Sequence, residues 1–223
     1  MLRNVQPELL DSLDPSDPGA LANRRDLLLI NQLMGTYRWF GKLLPRLGHS
    51  SIHALELGAG DGALGHRLHK RMRFGSYTAV DLIPAPENWP DQALWHQGDL
   101  LEYNSFGCNN VLLANLILHH FEDDQLARLG ARIQDSGIRH ILASEPCRRS
   151  MHKWQLRAGS LLGFHPVTLY DGCISIDGGF QGEELPAKLG LSTRDWTWTI
   201  QTTFMGAYRW AASRKGAATV CDQ

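Results

Sequence analysis

Residues 53–62 read His-Ala-Leu-Glu-Leu-Gly-Ala-Gly-Asp-Gly, a short apolar run entering a glycine-rich turn with Glu56 just ahead of it. A second apolar run, Tyr77-Thr78-Ala79-Val80, ends on Asp81, and helix-forming residues lie between the two. Strand, glycine turn, helix and a second strand closing on a carboxylate compose a nucleoside-binding βαβ unit. The glycines bring backbone close to a ligand, and the carboxylate bridges ribose hydroxyls. An unliganded structural turn is the plainer reading, but two acids beside a glycine turn make a poor buried core.

Charge selects the nucleoside. Gly58, Gly60 and Ala63 satisfy the spacing of a dinucleotide fingerprint. A dinucleotide, however, lays a doubly negative pyrophosphate on the turn's amides, and Glu56 and Asp61 stand there already. At about 4–6 Å each acid opposes that ligand by on the order of a few kcal/mol. S-adenosylmethionine brings a sulfonium, an ammonium and no phosphate, so the same acids favour it. Glu-Leu-Gly-Ala-Gly-Asp-Gly also resembles the first motif of class I S-adenosylmethionine-dependent methyltransferases.

The bulk numbers fit one domain. A chain of 223 residues with 43% hydrophobic residues builds an ample core. A net charge of −1 offers no global attraction for a polyanion, which argues against nucleic acid. No apolar run approaches membrane-spanning length and the first residues lack a signal-peptide core, so a cytoplasmic protein is expected. Cys108, Cys147, Cys173 and Cys221 are too scattered for a disulfide framework or a zinc site. Nothing here indicates an oligomeric state.

Outward from the glycine turn, residues 1–20 read as an extended arm. Residues 21–47 read as a helical cap with Leu27, Ile30, Met34, Tyr37, Phe40 and Leu44 on one face, breaking near Gly41 or Pro45. Downstream, Leu64, Leu68 and Met72 mark a helix, and strands are expected at 94–96, 110–114 and 138–144. A helix starting near Glu122 ends by Gly137. The 147–165 stretch reads as a helix with a charged face, and 183–189 as a short helix. Trp196, Trp198 and Ile200, then Tyr208, Trp210 and Ala212, alternate about a glycine turn as an antiparallel hairpin. A late hairpin closing a parallel sheet is how the class I methyltransferase fold ends. The expected architecture is therefore α/β: a Rossmann-like, doubly wound, mostly parallel seven-stranded sheet with a C-terminal antiparallel hairpin and an N-terminal helical cap. The methyltransferase domain would occupy 48–215 and a disordered tail 216–223.

Ligands in such sheets sit at the carboxyl ends of the strands, where Glu56, Asp81, Asp99, Asn115 and Glu145 fall in series. The resemblance, which covers about residues 50–146, implies the following roles. Glu56, Gly58, Ala59 and Gly60 face the methionine portion. Asp81 and Leu82 take the ribose, Asp99 and Leu100 read the adenine edge, and Asn115 lies by the methionine amine.

His119 and His120 follow the fourth strand, as a Leu-His-His stretch does in small-molecule methyltransferases of the ubiquinone-pathway type. One imidazole, His119 before His120, is expected to take the proton of a phenol or hydroxyl, unless both are structural. Adjacent histidines on a helix project about 100° apart, and no carboxylate accompanies them in the substrate segments, so no metal is expected. Tyr37, His165 and Asp171, the last in a Tyr170-Asp171-Gly172 turn, are lesser substrate candidates. The basic set Arg148, Arg149, Lys153 and Arg157 is a solvated face or a surface for an anionic substrate. Residues 23–37 and 171–180 resemble, more loosely, bacterial methyltransferases associated with polyketide and phenolic products. The implied acceptor is a small molecule, with a phenolic hydroxyl favoured over carbon or nitrogen. An RNA or protein methyltransferase and a non-catalytic nucleoside-binding module are the rivals.

Overall fold

The computed structural model describes residues 1–14, 16–48 and 50–216. Its centre is β1 (His53–Leu57), flanked in parallel by β2 (Ser76–Asp81) and β4 (Val111–Asn115). β3 (Leu94–Gln97) adds beyond β2, and β5 (His140–Pro146) beyond β4. β6 (Trp196–Thr202) and β7 (Ala207–Arg214) form the hairpin, with β7 antiparallel to β5. The seven strands run in the order β3-β2-β1-β4-β5-β7-β6, a mostly parallel sheet closed by an antiparallel hairpin, as the sequence reading expects of the architecture. The reversal between β1 and β4 opens a crevice at the carboxyl ends of those strands.

Alternation along each central strand feeds two cores, one per face of the sheet. Leu55, Leu57, Leu112, Ala114, Ile141, Ala143, Trp210 and Ala212 pack beneath α4 (Asp123–Gln134) and α7 (Glu184–Lys188). Ala54, Ala79, Val111, Leu113, Leu142 and Ala211 face the other way, toward α2 (Thr36–Leu43) and α3 (Ala63–His69). Burial on both sides explains why these strands read as nearly continuous apolar runs.

The N-terminal cap differs in detail from the expectation. α1 spans Pro18–Leu33, starting inside the supposed arm because Asp17 accepts the Gly19 N–H at 2.7 Å and Pro18 suits a first helical turn. The chain breaks at Gly35 (φ +69°), not at Gly41 or Pro45, and α2 starts there at a new angle. Residues 1–13 hold one 3₁₀ turn (Leu10–Ser12) and are tied down along their length. The Arg3 guanidinium donates to the carbonyls of Phe121 (2.7 Å) and Gly178 (2.8 Å).

The charged stretch after β5 forms α5 (Ser150–Ala158) and a 3₁₀ turn (Gly159–Leu162). α6 (Pro166–Gly178) follows, where a turn at Tyr170-Asp171-Gly172 was expected. Pro166 opens this helix, and Gly172 lets Leu156 of α5 pack against its backbone; a Cβ there would lie 2.5 Å from that side chain. The expected tail beyond residue 216 lies outside the described residues. Among the described residues, no helix is long and apolar enough to cross a membrane.

Candidate functional site

The glycine turn folds back on the end of β2. Asp81 accepts the Gly60 N–H at 2.7 Å and the Ile83 N–H at 3.1 Å, which locks the turn and its own carboxylate together. Burial raises the Asp81 pKa. Gly58 sits at φ +64°, and a Cβ there would stand 2.4 Å from Ile117, so the loop after β4 presses directly on the turn. Gly60 (φ +57°) faces open space.

Glu56 is buried behind the turn, where it accepts the Tyr77 hydroxyl at 2.5 Å. Burial, reinforced by the negative charges of Asp81 and Asp61, pushes its pKa up to about 8. A carboxyl so placed is ready to lose its proton to an incoming cation.

These groups line a single cavity of about 1100 Å³. Gly58, Ala59, Gly60, Asp81, Leu82, Asp99, Leu100 and Asn115 stand on its wall with Glu56, as expected for one cleft. The Oδ1 of Asn115 is buried without a partner, an acceptor left for a ligand donor. Glu145, the last of the strand-end series, is not on the wall. Its carboxylate lies one layer back and accepts the Ile117 N–H (3.2 Å), the Leu118 N–H (3.1 Å) and His119 Nδ1 (2.8 Å). Those bonds hold a strained loop: Leu116, at φ +54°, is the one non-glycine residue with positive φ among the described residues.

The pair His119-His120 occupies a 3₁₀ turn, Leu118–His120, and both imidazoles reach the cavity wall with ring centroids 4.3 Å apart. Helical projection had separated them; a 3₁₀ turn of one repeat leaves the side chains free to converge. Glu8 of the N-terminal arm joins them, its Oε1 3.6 Å from His119 Nε2 and 3.9 Å from His120 Nε2. The geometric ground for expecting no metal therefore fails, because a carboxylate does accompany the histidines. The assignment of the proton to His119 also meets a difficulty. Burial opposes charge on His119, but the carboxylates of Glu145 and Glu8 outweigh it and raise the pKa to about 9. With those carboxylates holding a proton on it, His119 is poorly suited to take one from an acceptor.

Of the lesser substrate candidates, one of three reaches the cavity. Tyr37 is on the wall, with the Arg67 guanidinium 4.3 Å from its ring centroid, and burial lifts its hydroxyl to about 12. His165 is not on the wall; its Nδ1 caps α6 by accepting the Val167 N–H. Asp171 is not on the wall either, and instead accepts the Leu9 and Leu10 N–H groups at 2.7 and 3.0 Å, anchoring the arm. None of the basic set reaches the cavity. Arg148 is buried in a bidentate pair with Glu184, Lys153 pairs with Asp177, and the Arg157 guanidinium lies 5.6 Å from the Trp154 ring centroid.

Several wall residues carried no sequence signal. Glu8 and Leu10 come from the arm, and Arg24 of α1 is the one Arg or Lys on the wall among the described residues. Leu161, Leu162 and Phe164 come from the turn after α5. With Leu13, Leu27, Ile30, Leu33 and Ile176 they make the part of the cavity away from the glycine turn mostly apolar.

No family model matches the chain, and no curated protein does. Solved structures match it closely in shape. The plantazolicin methyltransferase BpumL in complex with SAH superposes with a TM-score of 0.67 at 11% identity, over 89% of this chain and 91% of that one. The pyocyanin biosynthetic protein PhzM gives 0.63 at 16%, over 93% of this chain and 62% of its own. The N-methyltransferase NodS from Bradyrhizobium japonicum WM9, in complex with SAH, gives 0.52 at 16%, over 79% and 86%. The chain has the Rossmann-like fold of these methyltransferases.

Proposed function

We propose that the protein transfers the methyl group of S-adenosylmethionine to a small molecule with an apolar body, the favoured acceptor atom being a phenolic oxygen. One observation carries the reading. A single cavity joins a glycine turn flanked by acids to a leucine-rich vault, with a pair of imidazoles on the same wall. At about 1100 Å³ it exceeds the roughly 300–1000 Å³ typical of one small ligand, which leaves space for cofactor and acceptor together.

The residues suit the cofactor. Asp81 faces the ribose, Asp99 and Leu100 the adenine, Asn115 Oδ1 and Glu56 the methionine ammonium, and Arg24 is a cation of the right sign for the methionine carboxylate. Bound there, S-adenosylmethionine supplies an electrophilic methyl on a positive sulfur. The chain would hold the acceptor oxygen in line with that methyl, and the acceptor's hydroxyl proton would pass to water. The protein contributes chiefly alignment in a dry vault. The greater exposure of His120, 24% of its side chain against 4% for His119, supports it as the imidazole nearer the acceptor.

The neighbours support a natural-product substrate, since two of them are named for plantazolicin and pyocyanin. An N-methyltransferase among them keeps nitrogen as the second acceptor. The apolar vault with its one guanidinium argues against RNA. Incubating the protein with methyl-labelled cofactor and a panel of hydroxylated aromatics tests the proposal. It expects a labelled methyl ether. Label appearing in RNA or protein, or in no acceptor despite cofactor binding, would turn the reading to one of its rivals.

A further inference from the structure

We infer that Glu8, His119 and His120 form a binding site for a divalent transition-metal ion, closed by the N-terminal arm. The three side chains present one ligand atom each, and these atoms all lie within 4.8 Å of one another. Two imidazole nitrogens and a carboxylate oxygen are a donor set suited to zinc, iron(II) or manganese, whereas magnesium and calcium prefer oxygen alone. Metal bonds of about 2.0–2.2 Å require the donors to draw together. From the present 3.6 and 3.9 Å separations this takes small side-chain rotations.

Two further observations point to a ligand. His119 Nε2 is buried and has no hydrogen-bond partner, although it faces the other two donors. Its opposite nitrogen, Nδ1, is held by the fully buried Glu145 at 2.8 Å. A carboxylate behind a histidine in this way fixes the ring and turns the other nitrogen toward a metal. The charges agree. Glu8 and Glu145 place two negative charges around the imidazoles, largely out of solvent, and a dication balances both.

The site spans two parts of the chain. The histidines belong to the turn after β4, while Glu8 arrives on the arm, held by Ser175 and by the Asp171 bonds to Leu9 and Leu10. An ion bound there would tie the arm to the turn after β4. All three donors also line the cavity, so an ion keeps coordination positions for an oxygen of the acceptor. The binding of the ion stands apart from the methyl-transfer proposal; only its use as an anchor for the acceptor rests on that reading.

The test uses the full chain stripped with chelator and titrated calorimetrically with zinc and, for its visible d–d bands, with cobalt(II). The wild type should bind one ion, with cobalt bands showing nitrogen and oxygen ligands. Glu8→Gln and His120→Gln should each weaken binding at least tenfold, while His165→Gln, away from the site, should leave it unchanged. Glu8 lies outside the sheet, so Glu8→Gln decides the matter should His120→Gln fail to fold. Absence of saturable one-to-one binding, or binding that survives Glu8→Gln undiminished, overturns the inference. SAH titrated into the same samples separates the two proposals, because the metal can fail while SAH still binds, and the reverse.

Discussion

Glu56 is the residue whose chemistry is most sharply set by its position. Its pKa moves from an ordinary 4.5 to about 8 because it is buried beside Asp81 and Asp61 with only a hydroxyl for a partner. The folded chain thus holds a proton that the unfolded chain releases. The stability this carboxyl allows is fully present below about pH 4.5 and declines as pH rises through 8. Glu56→Gln, which cannot ionise, should therefore gain on the wild type in urea unfolding as pH is raised from 6 to 9; a gap independent of pH would contradict the assignment. An ammonium in the cavity would displace that proton. Binding of SAH at pH 7 should release it in the wild type and not in Glu56→Gln, as seen by calorimetry in buffers of different ionisation heat. At Asp81 the expectation is simpler. Asp81→Ala should weaken cofactor binding more than tenfold, about 1.4 kcal/mol, since it removes both the proposed ribose acceptor and the Gly60 clasp. Unchanged affinity would place the ribose elsewhere.

At the scale of elements, the legibility of the site follows the chain's local regularity. Strand ends and the glycine turn were readable as cavity wall because each position there depends on neighbours in sequence. Asp81, Asp99, Leu100 and Asn115 follow from where β2, β3 and β4 must stop. Glu8 was not readable. It lies far from His119 in sequence, and the arm that carries it has only one 3₁₀ turn and no apolar periodicity to place it. Asp171 was misread for a related reason: a Tyr-Asp-Gly triplet is turn-like by composition, yet α6 runs through it because Gly172 serves close packing with α5. The arm and the loop after β4 each offer a test. Asp171→Ala removes the acceptor of the Leu9 and Leu10 amides, which should then exchange with solvent at least tenfold faster. Equal exchange would mean the arm is held by its other bonds, among them those of Arg3 and Ser175. Glu145→Ala strips a buried carboxylate from Ile117, Leu118 and His119, and should lower the unfolding free energy by about 3 kcal/mol. Chemical denaturation measures it, and a loss near zero would contradict the anchoring role.

For the whole molecule, the parallel sheet and its hairpin were legible because burial on both faces writes each strand as a continuous apolar run, and because strands alternate with helices. The vault was less so: the α1 stripe with Leu27 and Ile30 shows helical spacing, but nothing in the sequence joins it to the arm and the turn after α5, which complete the lining. The polar half of the cavity thus comes from the strand ends and the glycine turn, and the apolar half mainly from segments outside the sheet. Central to the account is that acids at the glycine turn select a sulfonium nucleoside over a dinucleotide. Calorimetric and thermal unfolding of the full chain with SAH and, separately, with NAD tests this most directly. The account predicts that SAH at 100 times its dissociation constant stabilises the fold by about 2.7 kcal/mol and that NAD does nothing. Stabilisation by NAD with none by SAH would contradict it.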